Sequence, residues 1–292
     1  MKRARLIYNP SAGREEIPKR LPYILDRLET AGLETSCHAT KGSGDAIEAA
    51  KIAVERKYDI VIAAGGDGTI NEVVNGLSRY EKRPALGIIP AGTSNDLANA
   101  LGIPKSISKA CEIIANGKLM TIDVGKANKR YFINIAGGGY LTELTYEVPS
   151  KLKTVLGQLA YYMKGIEKLP FIKPTKIRLE MDHQTVDEEM MLFLVANSST
   201  VGGFDKLAPK ADLQDGLFDV LVVKKTTLAE FVKLASLTMK GEHIQDPHIL
   251  YFQTSSLRAS SESVVHLNVD GEFGGDLPVE FKVLPRHIQV FV

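Results

Sequence analysis

The chain has no surplus of either charge: 36 basic and 35 acidic side chains give a formal net charge of +1, so nothing global drives it toward nucleic acid. It also lacks apolar runs approaching the ~18 residues that a membrane-spanning helix needs. The opening MKRARLIYNP carries charge without the apolar core of a secretory signal, and a soluble cytosolic protein is expected. There are only two cysteines, Cys37 and Cys111, far apart and each inside an apolar segment. That excludes a disulfide framework and reads as a pair of reduced core thiols. None of the six histidines has metal-ligand spacing, and HIQDPH is not H-E-x-x-H, which removes zinc chemistry. With no G-x-S-x-G elbow, hydrolases of that class are removed as well. Walker A and G-x-G-x-x-G loops are both absent, so any phosphate site is of another kind.

What is present is a rhythm. RARLIYN, ETSCHAT, DIVIAAG and ALGIIP read as strands, alternating with the helical patterns LPYILDRLETAG, DAIEAAKIAVERK, TINEVVNGL, SNDLANAL and SISKACEIIANG. This βαβα order predicts a mostly parallel, Rossmann-like sheet with helices on both faces. Past TIDVGKANKRYFINIAGGG the pattern changes to strand-like runs: TKIRLEMD, EEMMLFLVANSS, LFDVLVVKK, ILYFQTSSLRASS, SVVHLNVDGE, PVEFKVLP and HIQVFV. They predict an antiparallel, sandwich-like sheet interrupted by helices around 150–168 and 227–240. The expected organisation is therefore α/β, with a nucleotide domain over 1–124 and a β-rich domain over 125–292 whose last strand has two destinations, its own domain or the first.

Ligands of open α/β sheets sit beyond the carboxyl ends of the strands. Three turns rich in glycine and small polar groups fall there: NPSAG (Asn9, Pro10, Ser11, Ala12, Gly13), GGDGTINE (Gly65 to Glu72) and PAGTSND with Gly92, Thr93, Asn95 and Asp96. Glycines 65, 66 and 68 allow backbone N–H groups to approach phosphate, and the helix that starts near Thr69 adds a partial positive charge. Asp67 is the anomaly, because bare phosphate repels it. Two readings stand: an ordinary helix N-cap, or a carboxylate that meets phosphate through a divalent cation such as Mg²⁺.

GGDGTINEVVNG, GIIPAGTSNDLA and the late NVDGEF together resemble the diacylglycerol kinase catalytic family, and in particular its soluble bacterial members, over essentially the whole chain. NAD kinases share GGDGT but carry a GSTAY-like segment that is not found here. The resemblance implies an ATP site made by Asn9, Pro10, Ser11, Ala12, Gly13, Thr40, Gly66, Asp67, Gly68, Thr69, Ile70, Asn71, Glu72 and Thr93, with Mg²⁺ near Asp67 and Asp96. It assigns Glu272 as general base toward a lipid hydroxyl, next to Asp270. It also implies a structural Mg²⁺ on Asp212, Asp215 and the Leu217 carbonyl, with Asp123 joining the acidic network, and a homodimer. The implied reaction is ATP-dependent phosphorylation of diacylglycerol. A kinase for a sphingoid lipid or NAD, or a catalytically silent lipid-binding regulator, are the alternatives.

A lipid substrate requires contact with a bilayer, and two chains of ~16 carbons at ~0.8 kcal/mol per methylene are not extracted into water. The stretch from Ser150 to Arg178, SKLKTVLGQLAYYMKGIEKLPFIKPTKIR, places Lys151, Lys153, Lys164, Lys168, Lys173, Lys176 and Arg178 among Leu, Tyr, Met and Phe against the single acid Glu167. It reads either as a peripheral docking element for an anionic surface or as a core-packed helix with solvated lysines.

Overall fold

The computed structural model describes residues 1–139, 174–182, 184–202, 204 and 206–292. Two compact units emerge: Met1–Asp123 with Pro285–Val292, and Val124–Leu284.

In the first unit, strands β1 (Lys2–Tyr8), β2 (Leu33–Ala39), β3 (Ile60–Gly65) and β4 (Ala85–Pro90) form a parallel sheet in the order β4-β3-β1-β2. β3 and β4 are buried along their whole length, as strands covered on both faces must be. One face takes α1 (Glu16–Thr30) and α5 (Ile107–Asn116), whose Ile17, Ile24, Leu28, Cys111 and Ile114 pack against Leu6, Ile62 and Ile89. The other takes α2 (Asp45–Glu55) and α3 (Asp67–Leu77), which approach so closely that a Cβ on Gly76 would stand 2.6 Å from the Ala50 methyl. The short α4 (Asp96–Ala100) follows β4. Because β2 and β3 lie on opposite sides of β1, the strand order reverses between β1 and β3. That switch point opens a crevice at the carboxyl ends of these two strands.

Cys37 corrects one expectation. Cys111 is buried, but Cys37 is exposed, because it lies towards the end of β2, the edge strand of its sheet. α3 also begins two residues earlier than the pattern suggested, at Asp67.

The second unit is antiparallel and β-rich. β5 (Leu119–Ala127) leads into it, followed by β6 (Arg130–Phe132), β7 (Ile135–Gly139), β8 (Thr175–Met181), β9 (Thr185–Ala196) and β10 (Phe218–Lys224). After α6 (Leu228–Lys240) come β11 (Ile249–Thr254), β12 (Ser256–Ser260), β13 (His266–Val269), β14 (Glu272–Asp276) and β15 (Val279–Phe291). The twelve-residue β9 pairs with β8 through 185–190 and with β7 and β10 through its later residues, so one strand serves both parts of the sheet. Phe132, Phe193, Phe218 and Phe281 fill the core, with Phe132 stacked on Phe218 at 5.4 Å between centroids. α6 starts on a capping box between Thr227 and Glu230.

Two strand expectations change. ILYFQTSSLRASS breaks at Ser255 into β11 and β12, whereas PVEFKVLP and HIQVFV run together as β15 through Pro285. β15 pairs with β12 over its first residues and with β4 at Val290. The helix expected around 150–168 lies outside the described residues. So do Lys151, Lys153, Lys164, Glu167, Lys168 and Lys173. Lys176 and Arg178 are described on β8, where they pair with Asp187 (3.7 Å) and Glu180 (3.0 Å). They therefore do not face a surface empty of acids.

Asp219 on β10 is fully buried, accepts hydrogen bonds from the Tyr251 hydroxyl and from Gln253, and has no partner for Oδ2 among the described residues. Burial pushes its carboxyl from 3.8 up to about 6. A raised carboxyl means that the folded state keeps a proton the unfolded chain has released. Stability therefore falls as pH rises through the window between those two values and is flat above it. Asp219→Asn is expected to gain up to about 2 kcal/mol over the wild type at about pH 7.5 and much less at about pH 4. Thermal melts at the two pH values check this, and an equal effect at both would contradict it.

Candidate active site

The three turns meet at the β1/β3 switch point. In the first, Asn9 donates its N–H to the Ala64 carbonyl (3.0 Å), while its side-chain oxygen accepts from the Ser11 N–H and hydroxyl. This local closure brings Gly13 round at φ +56, where a Cβ would stand 2.6 Å from the Ala91 carbonyl of the third turn. In the second turn, Gly66 precedes the first residue of α3. A Cβ on Gly92 of the third turn would lie 2.5 Å from the Gly66 Cα, so only glycine permits these two backbones to touch. Asn95 closes the third turn on itself, its amide accepting from the Gly92 N–H (2.7 Å) and donating to the Gly92 carbonyl (2.8 Å).

Asp67 joins the second turn to the third. Its Oδ2 accepts the Asn95 N–H at 2.8 Å and its Oδ1 the Asp96 N–H at 2.7 Å. The carboxylate thus caps α4, the helix of the neighbouring turn, while Gly66 occupies the N-cap of α3. Burial raises the Asp67 carboxyl above its ordinary value even though these N–H donors pull the other way, so its charge is held in a poorly solvated place. Asp96 is buried beside it in the first turn of α4.

The remaining expected nucleotide residues divide. Thr40 sits at the end of β2, its N–H on the Tyr8 carbonyl, and Thr93 is exposed with its carbonyl accepting from Lys105 at 3.2 Å. Gly68 faces open space, while Thr69 and Ile70 are buried. The Asn71 side chain accepts from Asn75. Glu72 points across to α2, where its two oxygens accept the Gly44 and Ala46 N–H groups at 2.8 and 3.1 Å. It caps that helix, a role that its place in the glycine segment did not disclose.

In the second unit, Glu272 is exposed at the start of β14, with Arg130 Nη1 at 3.7 Å. The preceding Asp270 takes the backbone N–H groups of Ile133, Asn134 and Ile135 on its carboxylate, at 2.7, 3.0 and 2.8 Å. Asp212 and Asp215 lie on one exposed turn and each accept the N–H two residues ahead, from Gln214 (3.0 Å) and Leu217 (2.9 Å). Asp123 belongs to the first unit, fully buried, with the Arg286 N–H on its carboxylate at 2.6 Å. Among the described residues, no group of three or more His, Cys, Asp or Glu side chains is arranged to hold a metal.

Residues 3–127 match the family model for the diacylglycerol kinase catalytic domain, and residues 143–292 match the YegS C-terminal NAD kinase beta sandwich-like domain. A protein of Bacillus subtilis named diacylglycerol kinase is 56% identical over 291 residues, covering 99% of this chain and 96% of that protein. The chain belongs to the diacylglycerol kinase family. A second member of this family, from Staphylococcus saprophyticus, is 48% identical over 290 residues, covering 99% of this chain and 95% of its own length. Among solved structures, a putative diacylglycerol kinase from Bacillus anthracis superposes with a TM-score of 0.87 at 30% identity, covering 99% of this chain and 97% of that one. The diacylglycerol kinase catalytic match contains all three glycine turns, and the second match contains Glu272.

Proposed function

We propose that the protein transfers the γ-phosphoryl group of ATP to the free hydroxyl of 1,2-diacylglycerol, giving phosphatidic acid. The observation that carries this reading is the three-turn cradle held shut by Gly13, Gly66, Gly92 and Asp67, in a chain whose full-length relatives bear the name diacylglycerol kinase. The N-terminus of α3 offers N–H groups without intrahelical acceptors, and a partial positive charge, to phosphate oxygens. Asn9, Ser11, Thr40, Thr69 and Thr93 would supply small hydrogen-bonding groups to the same nucleotide.

Magnesium suits the donor set. Asp67 and Asp96 supply hard carboxylate oxygens, and the poorly solvated charge of Asp67 would be relieved by a neighbouring cation. An ionised carboxylate has roughly four acceptor sites, so taking the Asn95 and Asp96 N–H groups does not exhaust it. When bound, Mg²⁺ would neutralise charge that builds on the transferring phosphoryl group. Asp212, Asp215 and the Leu217 carbonyl, three hard oxygen donors on one exposed turn, would hold a second, structural Mg²⁺. Glu272 would take the proton from the lipid hydroxyl; its exposure beside the chain's VDGE turn leaves it accessible to a substrate. No described helix is long and apolar enough to cross a membrane. Peripheral contact with an anionic bilayer follows from the lipid nature of the substrate, and a homodimer rests on the family resemblance alone.

Gly92→Ala tests the cradle. The added methyl would stand 2.5 Å from the Gly66 Cα, a backbone atom, and 2.9 Å from the Asn95 Oδ1 that closes the third turn, so the second and third turns must separate. The Kd for ATP is expected to rise at least about tenfold, equivalent to ~1.4 kcal/mol, in a protein that still melts cooperatively. Calorimetric titration with ATP reads this, and an unchanged Kd would remove the close approach from the nucleotide site.

A further inference from the structure

We propose that Asp270 is a positioning residue for Glu272: its carboxylate pins the hairpin that presents the base. This inference rests on the reading of Glu272 as general base given above. Val269 and Glu272 face one another across β13 and β14, and the two residues between them, Asp270 and Gly271, both have positive φ, +46 and +89. This is the backbone of a tight two-residue hairpin turn, for which Asp-Gly is a favoured pair. Turn chemistry alone accounts for the glycine and tolerates asparagine equally well at the first position.

The carboxylate does more than the turn requires. It folds back onto the loop between β6 and β7 and accepts three consecutive backbone N–H groups, those of Ile133, Asn134 and Ile135, while the Asp270 N–H returns a bond to the Ile135 carbonyl at 2.8 Å. Charge-assisted bonds of this kind are roughly twice as strong as neutral ones. The loop that receives them is itself fixed: the Asn197 amide donates to the Ile133 carbonyl (2.9 Å), the Asn197 N–H to the Asn134 carbonyl (2.8 Å), and the Ser198 hydroxyl to the Asn134 side chain (3.1 Å). From the other side, the Asn268 side chain accepts the Gly271 N–H at 2.8 Å. Glu272 is the first residue beyond this clamp. Its side chain is half-exposed with Arg130 Nη1 at 3.7 Å, and the anchored backbone sets the point from which the carboxylate reaches out.

Asp270→Asn separates this role from turn formation, since Asn-Gly makes the same turn but replaces one acceptor oxygen by an N–H₂ that faces N–H donors. The expected result is a folded protein whose kcat on dioleoylglycerol in mixed micelles falls about 10- to 100-fold, as displacement of a catalytic group by about 1 Å does. Its KM for ATP stays within about twofold of the wild type, because the cradle is untouched. In a Glu272→Gln background the same substitution should cost nothing further, since a positioning residue has nothing left to position. An unchanged kcat in Asp270→Asn, or an undiminished further loss in the Glu272→Gln background, would overturn the proposal. If Glu272→Gln itself turns over normally, the assignment of the base has failed and this inference falls with it. A slow Glu272→Gln beside a normal Asp270→Asn rejects the positioning role alone. Should Asp270→Asn fail to fold, Gly271→Ala takes its place: its methyl meets no atom within 4 Å, so it acts only through the positive φ. The same loss of kcat at constant KM for ATP is expected, and a folded Gly271→Ala protein with wild-type kcat would overturn the proposal.

Discussion

Glu272→Gln is expected to lower kcat on diacylglycerol by about 10²- to 10⁴-fold, the usual contribution of a general base. ATP binding is expected to remain, because the turns that form the cradle belong to residues 9–13, 65–72 and 91–96, and the hydrogen bonds that close them are made within the first unit. Glutamine keeps the size of the side chain and its exposed setting beside Arg130, so the loss reports chemistry rather than folding. Steady-state kinetics with ATP varied at fixed lipid make the distinction. A fall in kcat with constant KM for ATP is the signature of an interaction made in the transition state. Turnover equal to the wild type would transfer the role of base to another group.

Asp67→Ala is expected to be the second severe change, and for two separable reasons. It leaves the Asn95 and Asp96 N–H groups without their carboxylate acceptor, at a cost in stability of about 1–3 kcal/mol. It also removes the carboxylate proposed to hold Mg²⁺ beside the nucleotide, for which the expected fall in kcat is about 10²- to 10³-fold. Asp67→Asn separates the two, because the amide preserves shape and can still accept one N–H. Burial holds the wild-type carboxyl above its ordinary pKa, so a cation beside it is worth more than it would be in water. Mg²⁺ with ADP should therefore raise the Tm of the wild type more than that of Asp67→Asn. Equal shifts in the two proteins would mean that Asp67 serves only as the cap of α4.

Much of the first unit could be read from the chain because its signals are local. Buried parallel strands announce themselves as apolar runs, their helices as amphipathic ones, and the three turns as clusters of glycine and small polar residues. The second unit was legible as strand-rich, but its breaks were not. Ser255 splits a continuous strand-like run, and Pro285 sits inside β15 rather than ending a strand. Cys37 was misread because an apolar neighbourhood says nothing about whether a strand lies at the edge of its sheet. Partners far apart in sequence were beyond local pattern altogether. Asp67 finds its donors 28 and 29 residues away, Glu72 caps a helix 26 to 28 residues earlier, and Asp270 reaches back 135 to 137 residues. Each of these carboxylates was visible as a residue in a motif, while its role depends on which backbone the fold delivers to it.

The most direct test is transfer itself. The purified protein, Mg²⁺ and ATP labelled at the γ-phosphate are incubated in parallel with dioleoylglycerol in anionic mixed micelles, with sphingosine and with NAD, and the products are separated by thin-layer chromatography. Label should move into phosphatidic acid and leave the other two acceptors essentially unmarked. Label on NAD or sphingosine without phosphatidic acid, or no transfer at all from a folded protein that binds ATP, would contradict the account.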